Sequence, residues 1–129
     1  MWHSFLALEH NMVHVLQHVQ EQIGDMTQPS GNKLILATEE AVLNVMRYSG
    51  SPHVHILCRQ STEQGKEVLI KDQGFPFNPL EHLKTPSEIL QNTFEKDGGY
   101  GIYLMHAAVD NIVYQRENNS NILILSKYG

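Results

Sequence analysis

Three stretches of this chain carry residues whose types and spacing suit chemistry on a charged ligand. The first is TEEAVLNVMRYSG, Thr38 to Gly50, which reads as helix. At about 100° per residue, Leu34, Ala37, Thr38, Ala41, Val42 and Val45 form one apolar sector. Ile35 and Met46 extend it, and Leu36 and Leu43 fall almost opposite its centre. Glu40, Asn44 and Arg47 interrupt this apolar surface as a strip roughly 60° wide. Buried polar groups are costly unless partnered, so the strip needs solvent, a structural partner, or a bound ligand with its metal. The helix alone leaves those alternatives open. Glu39, off the strip, reads as an ordinary exposed residue.

The second stretch, LIKDQGFPFNP, ends a strand in Asp72-Gln73-Gly74. A carboxylate there can accept a hydrogen bond from an exocyclic amine such as that of adenine, and Gly74 permits close backbone approach. A plain turn has the same composition. The third, DGGYGIYLM, sets Gly98, Gly99 and Gly101 at the start of a helix. Small residues let backbone N–H groups converge at a helix N-terminus, where phosphate binds. A hinge followed by a helix start reads the same way. No Lys-Ser/Thr follows these glycines and no strand leads into them, so neither the P-loop nor the dinucleotide fingerprint is present.

The elements that must position these stretches follow from periodicity. His3–Glu9 is strand-like, and a helix is expected from about Asn11, as its cap, to Ile23. Met12, Leu16, Val19 and Ile23 share one face of it. A loop over 27–32 precedes the long helix Lys33–Ser49. His53–Gln60 and Lys66–Asp72 read as a hairpin, and 111–116 with 121–128 as a second about the turn ENNS. Between Gly74 and Gly98 the chain is irregular, with three prolines and short helical pieces. A loop that long in a small domain is commonly a functional lid, placed here around 75–98. The expected fold is α/β in the α+β sense: a two-layer sandwich with helices on one face of a mixed, mostly antiparallel sheet.

Bulk properties narrow the function. The 129 residues predict one domain, 1–129, with 41% hydrophobic residues and a formal charge of −5. That charge argues against a sequence-independent grip on nucleic acid or an anionic membrane. Cys58 is the single cysteine, so no internal disulfide forms, which suits a reducing cytoplasm. The N-terminal MWHSFLALEHN has no basic segment followed by an apolar run, and no export signal is expected. His10, His14 and His18 repeat at helical spacing opposite the apolar face, which predicts a solvated or partner-facing stripe rather than a tetrahedral metal site. His53 and His55 lie on one side of a strand, in structural roles. Cys58 reads as a small core residue and Trp2 as packing on the sheet or on a second copy. Lys84 and Lys96 are flexible lysines of the lid.

The order and spacing of the three stretches resemble the nucleotide-binding boxes of the GHKL ATPase superfamily (gyrase, Hsp90, histidine kinases, MutL). EEAVLNVMRY is similar to the N box, DQGFPFNP to the first glycine box and GGYGIYLMHAAVD to the second. Within the superfamily, Asp-x-Gly-x-Pro-Phe and the short chain are most similar to the bacterial anti-sigma factor/serine-protein kinases. The resemblance implies a Bergerat-type ATP-binding fold with ATP and Mg²⁺ as cofactors. It implies Asn44 as a ligand of Mg²⁺ bridging the triphosphate and Glu40 as general base. Asp72 would bond adenine beside Gly74, and Arg47 would meet phosphate. Gly98, Tyr100 and Ile102, with Gly99 and Gly101, would present the phosphate-binding backbone and hinge the lid. Such positioning with charge neutralisation is what phosphoryl transfer requires.

The same resemblance implies partners: a STAS-type anti-anti-sigma protein phosphorylated on a hydroxyl, a sigma factor, and a second copy paired through the sheet and N-terminal region. Two positions depart from the pattern. Tyr48 stands where the anti-sigma kinases more often carry His, and residues 3–23 contain no Lys or Arg where the family engages partners through an Arg. Two other readings therefore stand beside the kinase. One is a nucleotide-gated binding module without turnover, which has no use for a base at Glu40. The other is a detached histidine-kinase-like ATPase domain, which Arg47-Tyr48 suggests.

Overall fold

The computed structural model describes residues 1–24, 28–61, 65–82 and 99–128, with backbone only at 28, 82, 99 and 100. Strands β1 (His3–Leu6), β2 (His53–Gln60), β3 (Gly65–Asp72), β4 (Asn111–Glu117) and β5 (Ser120–Tyr128) form one sheet in the order β1-β2-β3-β5-β4. Among the described residues every pairing is antiparallel. Helices α1 (Met12–Gln22), α2 (Gln28–Asn44) and α3 (Gly99–Ala108) form the second layer. The chain is thus the expected two-layer α/β sandwich, with a sheet that is antiparallel rather than mixed.

Alternation along the strands decides which residues meet the helices. Val54 and Ile56 of β2, Val68 and Ile70 of β3, and Leu123 and Leu125 of β5 are buried in one cluster with α2. From α2 that cluster takes Leu34, Ala37, Ala41 and Val42, the sector read from the sequence. The Thr38 hydroxyl, buried among them, donates to Leu34 O at 2.8 Å, so the one polar group in the sector is satisfied within the helix. α2 packs against α1, α3, β3 and β5 and is the central rod of the helical layer.

Several boundaries differ from expectation. β1 stops at Leu6, and Glu9–Asn11 is a 3₁₀ turn. Asn11 does not cap α1: its side-chain Nδ2 donates to Leu6 O at 3.0 Å instead, closing the end of β1. The buried face of α1 is centred on Val15, Val19 and Ile23, with Met12 packing at its margin and Leu16 half-buried. α2 begins at Gln28, so most of the expected loop is helical; Pro29 sits in the first turn, where its missing N–H costs nothing. Asn118 and Asn119 take positive φ of 51° and 62°, the two-residue turn that joins antiparallel strands with native twist. Glu39 is half-buried rather than exposed.

His18 also departs from expectation. His10 and His14 are exposed, but the His18 ring lies 4.1 Å from that of His3 and 5.9 Å from Phe5, on the inner face of β1. Burial and the neighbouring His3 push its pKa down. His55 bridges Ser4 Oγ at 2.7 Å and Gln73 Oε1 at 3.0 Å. The Lys71 ammonium lies 5.7 Å from the Trp2 ring. The Cys58 thiol is raised to about 11 by burial, which removes it as a nucleophile at neutral pH.

Leu34 is fully buried where α2 crosses the sheet. Leu34→Ala is expected to cost about 2–5 kcal/mol in urea unfolding with an unchanged slope. A loss below about 1 kcal/mol would show that α2 is not the central packing element.

Candidate functional site

At one end of the sheet, register places Asp72 of β3 opposite Asn121 of β5, and Asn121 opposite Arg116 of β4. All three side chains point toward the helical layer, by the same alternation that buries Ile70 and Leu123. Asp72 and Asn121 are only 4% and 5% exposed, so each must find its hydrogen bonds within the fold. Asp72 Oδ1 accepts from Gly74 N at 2.8 Å and from Asn121 Nδ2 at 3.1 Å. Asn121 Nδ2 also donates to Phe75 O at 2.7 Å, while its Oδ1 accepts from Tyr114 Oη at 2.5 Å and Phe77 N at 3.3 Å. Arg116 Nη1 donates to Gly74 O at 2.8 Å. Strand ends and the turn after Asp72 are thereby tied into one polar network.

α2 closes the other side. Its last turns run into a π-helical segment, Val45–Ser49, with the wider i→i+5 spacing. That spacing keeps Asn44 and Ser49 on one side, and both line a cleft with Ala41, Ile70, Asp72 and Asn121. The cleft is open to solvent, and Phe77, Pro79 and Tyr114 also line it. Ser49 O accepts from Phe75 N at 2.9 Å, and a Cβ at Gly74 would collide with that same carbonyl. Glycine is required at 74 because helix end and strand end touch there.

Asn44 Nδ2 is buried at the cleft with no hydrogen-bond partner among the described residues. An orphaned buried amide costs about 1–3 kcal/mol, a cost that a ligand can remove. Rotating the amide by half a turn presents its oxygen to the same point, a suitable donor for a hard cation such as Mg²⁺. The residues present fit a phosphate-bound cation at this end and an amine at the Asp72 end.

Glu40, one turn before Asn44, does not line this cleft. Its carboxylate stands against Gly101 at the start of α3, where a Cβ would collide with it. Gly101 therefore leaves space for Glu40. Burial, then the neighbouring Glu39, raises the Glu40 pKa, with Arg47 opposing. Arg47 departs furthest from the reading of the sequence. Its guanidinium turns outward and pairs with Glu9 at 3.0 Å, both side chains about half exposed at 49% and 58%. The π segment explains this, because it turns the chain less per residue and gives the cleft side to Ser49.

Gly99 and Gly101 open α3 as expected, and Ile102 is a core residue whose contribution to a ligand is limited to its backbone. Gly98, the Tyr100 side chain, Lys84, Lys96 and most of the expected lid lie outside the described residues. Asn121, Tyr114, Arg116 and Ser49 are site residues that the sequence did not single out. The signal for the first three is strand register, which is fixed only once the hairpins pair.

Residues 6–127 match the family described as histidine kinase-like ATPase domain. A structure of the RsbU and RsbW domains of Rv1364c from Mycobacterium tuberculosis is similar, with TM-score 0.62 and 11% identity over 99% of this chain and 32% of that one. The histidine kinase domain of the blue-light activated kinase EL346 from Erythrobacter litoralis is similar with TM-score 0.57 and 12% identity, over 92% of this chain and 59% of that one. The chain spans less than two thirds of either structure. No curated protein sequence matches it. Among the described residues no helix is long and apolar enough to cross a membrane.

The direction of the Glu40 shift has a consequence for stability. Below its ordinary value of 4.5, Glu40 is protonated in folded and unfolded chains alike. Above the raised folded value it ionises in both, but the fold solvates the charge less well than water does, so stability is lost as pH rises through that value. Glu40→Gln is therefore expected to raise the unfolding temperature at pH 7, with the gain vanishing below pH 4.5. A variant less stable at pH 7 would show that a partner holds the ionised carboxylate.

Proposed function

Because the chain belongs to the histidine kinase-like ATPase domain family, we propose that it is an ATP-binding serine/threonine protein kinase of the anti-sigma-factor type. It phosphorylates a STAS-type antagonist on a hydroxyl side chain and holds a sigma factor in the cytoplasm, as a single domain that pairs with a second copy. The observation that carries the reading is the buried Asn44 amide nitrogen, without a partner among the described residues, facing the same cleft as Asp72. A site with an unmet polar group at one end and a hydrogen-bonded carboxylate at the other suits a ligand with a base and a cation-bound phosphate chain. The resemblance of the three boxes supports the subfamily, as does the structural likeness to a chain with an RsbW domain.

In this reading Asp72 accepts from the adenine amine and Gly74 lets the backbone approach the ring. Asn44 holds Mg²⁺ with the phosphates, and the backbone from Gly98 through Gly99, Tyr100, Gly101 and Ile102 donates N–H groups at the start of α3. Bound Mg·ATP supplies the phosphoryl group and the charge compensation. Glu40 accepts the proton of the attacking hydroxyl; its raised pKa makes it a stronger base than a solvated carboxylate. Arg47 is released to phosphate at little cost, since an exposed pair such as that with Glu9 is worth about 0–1 kcal/mol. The lid around 75–98 covers the bound nucleotide and excludes water.

One observation favours a second reading, a nucleotide-gated binding module. Glu40 faces Gly101 and not the cleft lining, so binding can proceed without it.

Thermal unfolding tests the site. ATP with Mg²⁺ is expected to raise the midpoint of the wild type by several degrees, and Asn44→Ala to lose most of that shift. No shift in the wild type would refute the nucleotide site. Transfer of label from ATP to a STAS-type protein then separates the readings. Glu40→Gln should cut it by about 100-fold or more while leaving the ATP-induced shift in place. Transfer that survives the substitution would remove Glu40 as the base.

A further inference from the structure

The amide of Asn121 has two donors and two acceptor positions, and the fold uses all of them. Nδ2 gives its hydrogens to Asp72 Oδ1 and Phe75 O; Oδ1 receives those of Tyr114 Oη and Phe77 N. Two of these partners are backbone groups with fixed polarity. Phe77 N–H can only donate and Phe75 C=O can only accept, so the amide has one allowed orientation, and Tyr114 must be the donor in its hydroxyl contact. Nδ2 is thus committed to Asp72, and Gly74 N donates to the same carboxylate oxygen. With Oδ1 occupied by two donors, the rest of the carboxylate is presented as an acceptor.

We propose that Asn121, oriented by Tyr114 and the backbone of residues 75–77, is the positioning residue that makes the cleft selective for a ligand bearing an amine over one bearing an oxo group. Asn121 has no hydrogen-bonding capacity left for the ligand, so it acts through Asp72. This inference rests on the nucleotide reading above and adds to it the origin of base discrimination. An amino purine gives Asp72 the donor it is set to receive, whereas a 6-oxo purine in the same pose sets oxygen against oxygen and must shift to offer its N1–H instead. Leaving a buried acceptor unmatched costs about 1–3 kcal/mol, or roughly 5- to 150-fold in affinity.

Adenine and hypoxanthine differ only along the edge that faces Asp72, amine against oxo at position 6 and acceptor against N–H at N1, so ATP and ITP are the probes, with affinities measured by calorimetry in Mg²⁺. Wild type is expected to prefer ATP at least tenfold. Asn121→Asp replaces both donors with an acceptor oxygen facing Asp72, and should bring the ATP:ITP ratio to within about threefold. Tyr114→Phe, which frees one side of the amide, should narrow the ratio by about threefold with little effect on the fold. Asn44→Ala should weaken ATP and ITP equally, because it acts at the phosphate end. The ratio is the decisive quantity, since a merely loosened cleft weakens both nucleotides alike. An Asn121→Asp protein with the wild-type ratio would overturn the proposal while the nucleotide site stands. If that variant fails to fold, an unchanged ratio in Tyr114→Phe would overturn it. A wild type that binds neither nucleotide would refute the nucleotide site and this proposal with it.

Discussion

The cleft depends on one rung of the sheet. Asp72 and Asn121 face each other across β3 and β5 and are nearly sealed from solvent. In that setting each polar atom must be matched within the fold or by something bound. Asn121 meets the requirement with four internal hydrogen bonds, and through it the turn after Asp72 is held at Phe75 and Phe77. The turn is then fixed to α2 through Ser49 and to β4 through Arg116. A slip of one residue between β3 and β5 would turn one member of the rung to the opposite face and undo all of this. The long antiparallel register from Gly65–Tyr128 to Asp72–Asn121, backed by the buried Val68, Ile70, Leu123 and Leu125, makes that slip costly.

Much of this was legible in the sequence, for reasons that are local. The apolar sector of α2 is a matter of period, and it placed Leu34, Ala37, Ala41 and Val42 in the core where they lie. The same period set Asn44 apart as a polar residue on a buried helix, and among the described residues its amide nitrogen has no partner. Both hairpins followed from alternation and turn chemistry, because each turn joins neighbours in the chain. The three boxes in order led to the superfamily, whose family match runs over residues 6–127.

What was not legible depends on long-range or non-ideal geometry. Arg116 reaches Gly74 across 42 residues of sequence and Asn121 reaches Asp72 across 49. Nothing local at Asn121 separates it from any other strand residue. Placing Arg47 on the polar strip takes an α-helical wheel through Val45–Ser49, where the chain is π-helical. The wider turn sends Arg47 to Glu9 and brings Ser49 to the cleft, an exchange that propensity does not signal. Asn11 shows a milder form of the same problem. Its residue type suits a cap, but the nearer acceptor was the end of β1.

The geometry also separates two tasks that the sequence placed side by side. Glu40 and Asn44 are one helical turn apart, yet Asn44 lines the cleft while Glu40 meets α3 at Gly101. In the proposed function, ligand recognition falls to the end of the molecule where the Asp72–Asn121 rung meets α2 through Gly74 and Ser49. The Glu40 carboxylate lies at the boundary with α3, against Gly101. On the proposed function, a substitution in the Asp72–Asn121 rung changes what is bound, whereas one at the Glu40–Gly101 contact changes what happens to the bound ligand while leaving its affinity intact.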